Sequence, residues 1–127
     1  MNIFGIGTDI ISIERVNKSL KNKKFLKRIF NEKEILKCKK ISMSTNCFAK
    51  RFAAKEAFSK ALGTGIANGI NFNEIIVLNK KSGKPYINFI GQTKKTLKKK
   101  FKGKKSKISL SLSDEKKYAV AFVTISL

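Results

Sequence analysis

The segment Phe48-Ala49-Lys50-Arg51-Phe52-Ala53-Ala54-Lys55-Glu56-Ala57-Phe58-Ser59-Lys60-Ala61 limits what the rest of the chain can become. It holds no glycine or proline, and Phe48, Ala49, Phe52, Ala53 and Ala57 recur at helical spacing, so it reads as a helix with one apolar face. Alanines on that face let a neighbouring backbone come close, which suits packing against a sheet. Thr45 or Asn46 is the expected cap of this helix, Leu62 its end and Gly63 a left-handed stop.

The other elements fit around it. Residues 2–12 form a mostly apolar strand, and glycines at 5 and 7 within it point to a close backbone approach. A short helical stretch runs from Ser12 to about Leu20. Phe25, Leu26, Ile29 and Phe30 mark another, and Asn31 with Glu34 is a capping box for a third through Cys38. Phe72 to Leu78 and Pro85 to Ile90 read as strands around a Ser82-Gly83 turn, and Gln92 to Phe101 as a basic helix. Lys107 to Ser113 alternates serine with Ile108, Leu110 and Leu112, and Tyr118 to Ile125 is its hairpin partner. The expectation is one α+β domain over residues 1–127, with the long helix packed on a mainly antiparallel sheet.

The net charge is +21, from 29 Lys and Arg against 8 Asp and Glu. Such a field draws polyanions without choosing among nucleic acid, acidic protein, membrane surface and phosphorylated ligand. No run approaches the roughly 20 apolar residues a membrane span needs, and no signal segment is evident, so a cytoplasmic protein is expected. Cys38 and Cys47 lack zinc-knuckle spacing and are expected as free thiols of a reducing compartment. With no histidine in the chain, any metal chemistry should be oxygen chemistry, with Mg²⁺ preferred.

Two of the few acids sit in apolar surroundings. Asp9 ends the first part of an apolar run that continues through Ile10 and Ile11, and Glu56 lies in the alanine-rich helix. Carboxylates near a core are costly unless a cation or hydrogen bonds compensate them. Lys60, four residues after Glu56, shares its helix face; a simple exposed pair there would be worth only about 0.3–0.5 kcal/mol. A strand acid facing the helix that carries Glu56 could share a Mg²⁺ ion with it.

The stretches Gly5-Ile6-Gly7-Thr8-Asp9-Ile10 and Arg51 to Gly65, with Asn68-Gly69, Gly83-Lys84-Pro85 and Ser111 to Ala121, resemble the holo-[acyl-carrier-protein] synthase family of small bacterial 4'-phosphopantetheinyl transferases. The resemblance runs nearly end to end and implies an enzyme of fatty acid biosynthesis. It would move the phosphopantetheine group of coenzyme A to a serine of apo acyl carrier protein, releasing adenosine 3',5'-bisphosphate. By the same resemblance Asp9 and Glu56 are the metal carboxylates, and Lys60 joins them in catalysis. Arg51, Lys84, Pro85, Gly63 and Gly65 lie near the coenzyme, Arg15 and Lys18 dock the acidic carrier, and the assembly is a homotrimer with interfacial active sites.

The rival reading is a nucleic-acid-binding module. Nine lysines between Lys94 and Lys107 would bind phosphates, but Phe101 is the lone aromatic among them, so no stacking platform accompanies the charge.

Overall fold

The computed structural model describes residues 1–64 and 69–127. Strand β1 (Ile3–Ser12) leads into three short helices, α1 (Ile13–Ser19), α2 (Lys23–Ile29) and α3 (Glu32–Lys39), and then the long helix α4 (Ser44–Leu62). A 3-10 turn (Phe72–Glu74) opens the second half, followed by β2 (Ile75–Asn79), β3 (Pro85–Phe89), α5 (Gly91–Lys100), β4 (Lys107–Asp114) and β5 (Tyr118–Ser126). The strands form one sheet ordered β1-β5-β4 and a hairpin β2-β3, all antiparallel. This is the expected α+β architecture.

Helix α4 lies on the inner face of the larger sheet, where Ala119, Ala121, Val123 and Ile125 of β5 are fully buried. The glycines of β1 explain how close it lies. A Cβ on Gly5 would run into the Ala61 carbonyl, and one on Gly7 into that of Ala57. Glycine on the strand and alanine on the helix are thus two halves of one contact, which no larger pair could make.

A buried ion pair ties the helical layer to the hairpin. Lys55 of α4 and Glu34 of α3 are both wholly inaccessible, with Nζ 2.6 Å from Oε1. The ammonium also donates to the carbonyls of Ile29 and Phe72, each at 2.8 Å. Glu34 in turn accepts from the Asn31 amide at 3.0 Å and, through Oε2, from the Val77 amide at 3.1 Å. Burial pulls the Lys55 ammonium down to about 8, against the opposing pull of Glu34 and with a smaller push from Arg51. All three ammonium protons and both carboxylate oxygens have a hydrogen-bond partner, the condition under which such a pair is tolerated.

The Asn31–Glu34 capping box is present, Ser12 caps α1 and Gly63 ends α4 at φ 85°. Three expectations need correction. Helix α4 starts at Ser44 with Met43 at its cap, before Thr45 and Asn46. Those two side chains are committed across the fold instead: Thr45 donates to Asn17, and Asn46 to Asp114 and the Glu115 carbonyl. The strand expected from Phe72 begins only at Ile75, because the coiled turn before it delivers the Phe72 carbonyl to Lys55. Cys38 and Cys47, expected as free thiols, are bonded; the bend between α3 and α4 brings their Cα atoms to 5.5 Å, within disulfide reach. Among the described residues no helix is long and apolar enough to cross a membrane.

Lys55→Met leaves the Glu34 carboxylate buried without its cation, so we expect a loss of about 3–5 kcal/mol in denaturant unfolding. A loss below about 1 kcal/mol would show that the pair does not anchor α4.

Candidate active site

Strand alternation turns Ile6, Thr8 and Ile10 outward and leaves Gly5, Gly7 and Asp9 on the side of α4. Since the glycines bring β1 onto the helix, Asp9 arrives beside the turn that carries Glu56. Both carboxylates line one open cavity of about 370 Å³, together with Ile10, Ile11, Arg15, Val16, Ser19 and Phe52. Arg15 comes from α1, directly after β1, so a single chain reversal supplies both an acid and a base to the rim.

Lys60 does not pair with Glu56 as a simple i,i+4 reading suggests. Its Nζ donates to Asp9 Oδ1 at 3.2 Å and to the Thr8 carbonyl at 2.9 Å, bridging α4 to β1. Glu56 is left facing a like charge. Burial first, then the Asp9 charge, push its proton affinity above the ordinary carboxyl value, with Lys60 pulling the other way.

That arrangement fits a hard divalent cation. The donors are carboxylate oxygens, their mutual repulsion is only partly relieved by one lysine, and the cavity leaves room for further ligands. No group of three or more Asp, Glu, Cys or His able to hold a metal occurs among the described residues. A pair of acids suits Mg²⁺, which keeps waters and takes substrate phosphates beside one or two carboxylates.

A second cavity of about 590 Å³ lies elsewhere on α4 and shares no lining residue with the first. Lys37, Lys50, Arg51 and Lys80 make it basic, and Asn79, Gly83 and Pro85 of the β2-β3 turn close one side. Arg51 is only 3% exposed. Its Nη2 donates to Asn79 Oδ1 at 2.8 Å and its Nη1 to the Cys47 carbonyl at 3.4 Å. Burial lowers its proton affinity, which the charge of Glu34 partly restores. Asp114, opposite, is held below the usual carboxylate range by hydrogen bonds from Asn46 and Lys50, against the effect of burial.

The expected residues therefore divide. Asp9, Glu56 and Arg15 line the first cavity, with Lys60 bonded to Asp9 though not itself in the lining, while Arg51 and Pro85 line the second. Lys84 sits beside Pro85 but does not line that cavity. Lys18 is exposed and paired with Glu14 at 3.6 Å. Gly63 caps α4, and Gly65 and Asn68 lie outside the described residues. Asn79 and Asp114, which shape the basic cavity, were not singled out as site residues; Asn79 precedes the Ser82-Gly83 turn, and Asp114 lies in the Ser111-to-Ala121 stretch that carries the resemblance.

Residues 5–123 match the family model described as the 4'-phosphopantetheinyl transferase superfamily. The holo-[acyl-carrier-protein] synthase of Pelagibacter ubique is 51% identical over 125 residues, 98% of each chain. Among solved structures, the holo-[acyl-carrier-protein] synthase of Neisseria meningitidis superposes with a TM-score of 0.88 at 38% identity, covering 98% of this chain and 99% of that one. The Bacillus anthracis enzyme of the same name, crystallised in complex with CoA (3',5'-ADP), gives 0.80 at 38% identity, covering 98% and 97%. The chain belongs to the 4'-phosphopantetheinyl transferase superfamily, to its holo-[acyl-carrier-protein] synthase family, and is a phosphopantetheinyl transferase.

Because Glu56 holds its proton to higher pH folded than unfolded, its contribution to stability is complete below the unfolded value and is lost as pH rises through the native one. Without divalent cations, Glu56→Gln should match the parent's Tm near pH 4 and exceed it by about pH 8. A difference that stays flat or turns negative would contradict the crowding of Glu56 by Asp9.

Proposed function

We propose that this chain transfers the 4'-phosphopantetheine group of coenzyme A to a serine of apo acyl carrier protein and releases adenosine 3',5'-bisphosphate. The observation that carries the proposal is the meeting of Asp9, Glu56 and Arg15, from three separate elements, on one cavity in a member of this family. Holo-[acyl-carrier-protein] synthases among the relatives supply the carrier and coenzyme by their names. The cytoplasm is the proposed setting, and fatty acid biosynthesis the proposed process.

Asp9 and Glu56 would hold Mg²⁺ beside the coenzyme's diphosphate. When bound, the ion neutralises phosphate charge and so eases attack at phosphorus. The serine hydroxyl gives its proton to solvent water as its oxygen forms a bond to the β-phosphorus, and the bond from that phosphorus to the bridging oxygen breaks. The electron pair leaves with the nucleotide. Lys60 fixes Asp9 against β1 and brings a positive charge to the edge where the departing 5'-phosphate of the nucleotide gains negative charge. Arg15 on the rim, with Lys18 one turn along α1, faces the acidic carrier. Arg51, Lys84 and Pro85, with Gly63 and Gly65, are assigned to the nucleotide end by the family resemblance.

The separation of the two cavities supports a shared site, with carboxylates from one protomer and nucleotide contacts from its neighbour. The outer face of β1 and β5 offers a surface for that assembly. Ile6 and Ile10 are 61% and 65% exposed; Val120 pairs with Ile10, and the exposed Phe122 and Tyr118 stand opposite Thr8 and Ser12 on the same face. A contiguous apolar patch of this kind marks an interface. We propose a homotrimer. Sedimentation should give three times the chain mass for the parent and a smaller species for Phe122→Lys; a parent that runs as a monomer contradicts it.

Incubation with coenzyme A, Mg²⁺ and apo carrier should add one phosphopantetheine arm to the carrier, read by mass. Asp9→Asn and Glu56→Gln should each lower kcat/KM by about a hundredfold or more, and abolish the rise in Tm that Mg²⁺ gives the parent. Arg15→Ala should raise KM for the carrier several-fold and leave that for coenzyme A unchanged. Unaltered transfer by the carboxylate variants at limiting Mg²⁺ would refute the metal assignment.

A further inference from the structure

Cys38 lies near the end of α3 and Cys47 in the first turn of α4, and the bond between them closes the bend that joins the two helices. Cys38 is wholly buried, whereas Cys47 lines the basic cavity. The residues that the bond encloses include Ile41 and Met43, which form part of the same cavity wall. Arg51 Nη1 donates to Cys47 Sγ at 3.2 Å, one turn along the helix. Arg51 Nε is buried without a hydrogen-bond partner. The guanidinium is therefore held by this cysteine on one side and by Asn79 on the other, with donor capacity unspent.

We propose that Cys38 and Cys47 form a reversible oxidation site that sets the affinity of the basic cavity for the nucleotide end of coenzyme A, the disulfide being the tight-binding form. The proposal rests on the assignment of that nucleotide to Arg51 made above.

In a cytoplasmic protein a disulfide is more often a transient redox device than a structural staple. The chemistry needs a low-molecular-weight disulfide, R–S–S–R, as oxidant. A guanidinium beside Cys47 favours its thiolate, and Cys47, though only 4% exposed, is the cysteine of the pair on the cavity wall, the side from which a small disulfide reaches it. The Cys47 thiolate attacks one sulfur of the oxidant, a mixed disulfide forms and RS⁻ leaves to take up a proton. The Cys38 thiolate then attacks the Cys47 sulfur and expels the second RS⁻, which is protonated in turn. The pair loses two electrons and two protons, and R–S–S–R becomes two RSH.

Two consequences give the sign. The disulfide fixes the bend that carries Ile41 and Met43, so the cavity wall is ordered before ligand arrives. It also makes Cys47 a neutral neighbour for Arg51, whereas a thiolate would compete with phosphate for the guanidinium. Cys47 and Glu56 are nine residues apart along α4, roughly 13 Å. The reacting end is therefore insulated from the switch.

The test compares full-length protein equilibrated with glutathione disulfide against protein reduced with dithiothreitol. Alkylation and mass measurement count thiols, calorimetry gives coenzyme A affinity, and the transfer assay gives KM and kcat. We expect no free thiol in the first state and two in the second, with Kd and KM for coenzyme A roughly fivefold higher on reduction, the size expected when a few pocket side chains lose their order. The kcat at saturating coenzyme should not change. Cys38→Ala, which removes the partner without touching the cavity lining, should show the reduced-state affinity in both buffers. Two free thiols after oxidant treatment, or equal affinities in states whose thiol counts differ, overturns the proposal. If affinity shifts but neither state transfers, the switch stands and the transferase reading of this site fails.

Discussion

Everything chemical in this protein depends on how closely β1 can lie against α4. The contact has no side chain between the two backbones at Gly5 and Gly7, where the helix presents Ala61 and Ala57. Asp9, two residues beyond Gly7 and on the same side, is thereby carried to the turn that holds Glu56. Any larger residue at these positions would push the strand outward and take Asp9 with it. A packing constraint thus sets the spacing of two charges.

The position of α4 is set in turn from its other side. Lys55, adjacent in sequence to Glu56 but facing the interior, reaches Glu34 and the carbonyls of Ile29 and Phe72. One ammonium so draws together α2, α3 and the turn before β2. Its desolvation is costly, and the network repays it only because each partner is satisfied. Neighbouring residues on one helix thus do opposite work: Lys55 is buried among hydrogen-bond acceptors, and Glu56 is left in repulsion with Asp9 on an open cavity. That repulsion, only partly relieved by Lys60, is the feature on which the proposed cation site rests.

The sequence made much of this legible where the signal was local. Alanines 49, 53 and 57 showed a helix built for close approach, glycines 5 and 7 showed its counterpart, and the Asn31–Glu34 box placed α3. Asp9 and Glu56 stood out because acids are scarce in this chain and these two lie among apolar residues. What stayed hidden was long-range. Glu34 read fully as a capping residue, and nothing in the sequence marks that it also closes a buried pair with Lys55, 21 residues away. Lys60 read as Glu56's neighbour, but its bond is to Asp9, whose proximity only the tertiary packing creates. The thiols read as free because the spacing of Cys38 and Cys47 does not report the bend between their helices. Thr45 and Asn46 read as caps, and the fold had already spent their side chains on Asn17 and Asp114.

The central claim is that Asp9 and Glu56 grip one divalent ion at the diphosphate of coenzyme A. Mn²⁺ can replace Mg²⁺ in an oxygen site of this kind and scatters anomalously, so diffraction from crystals grown with Mn²⁺ and coenzyme A reads the claim directly. The account predicts one anomalous peak within coordination distance of a carboxylate oxygen from each residue and of the coenzyme's diphosphate. A peak bound to neither side chain, or a well-ordered diphosphate beside two carboxylates with no peak between them, would contradict it.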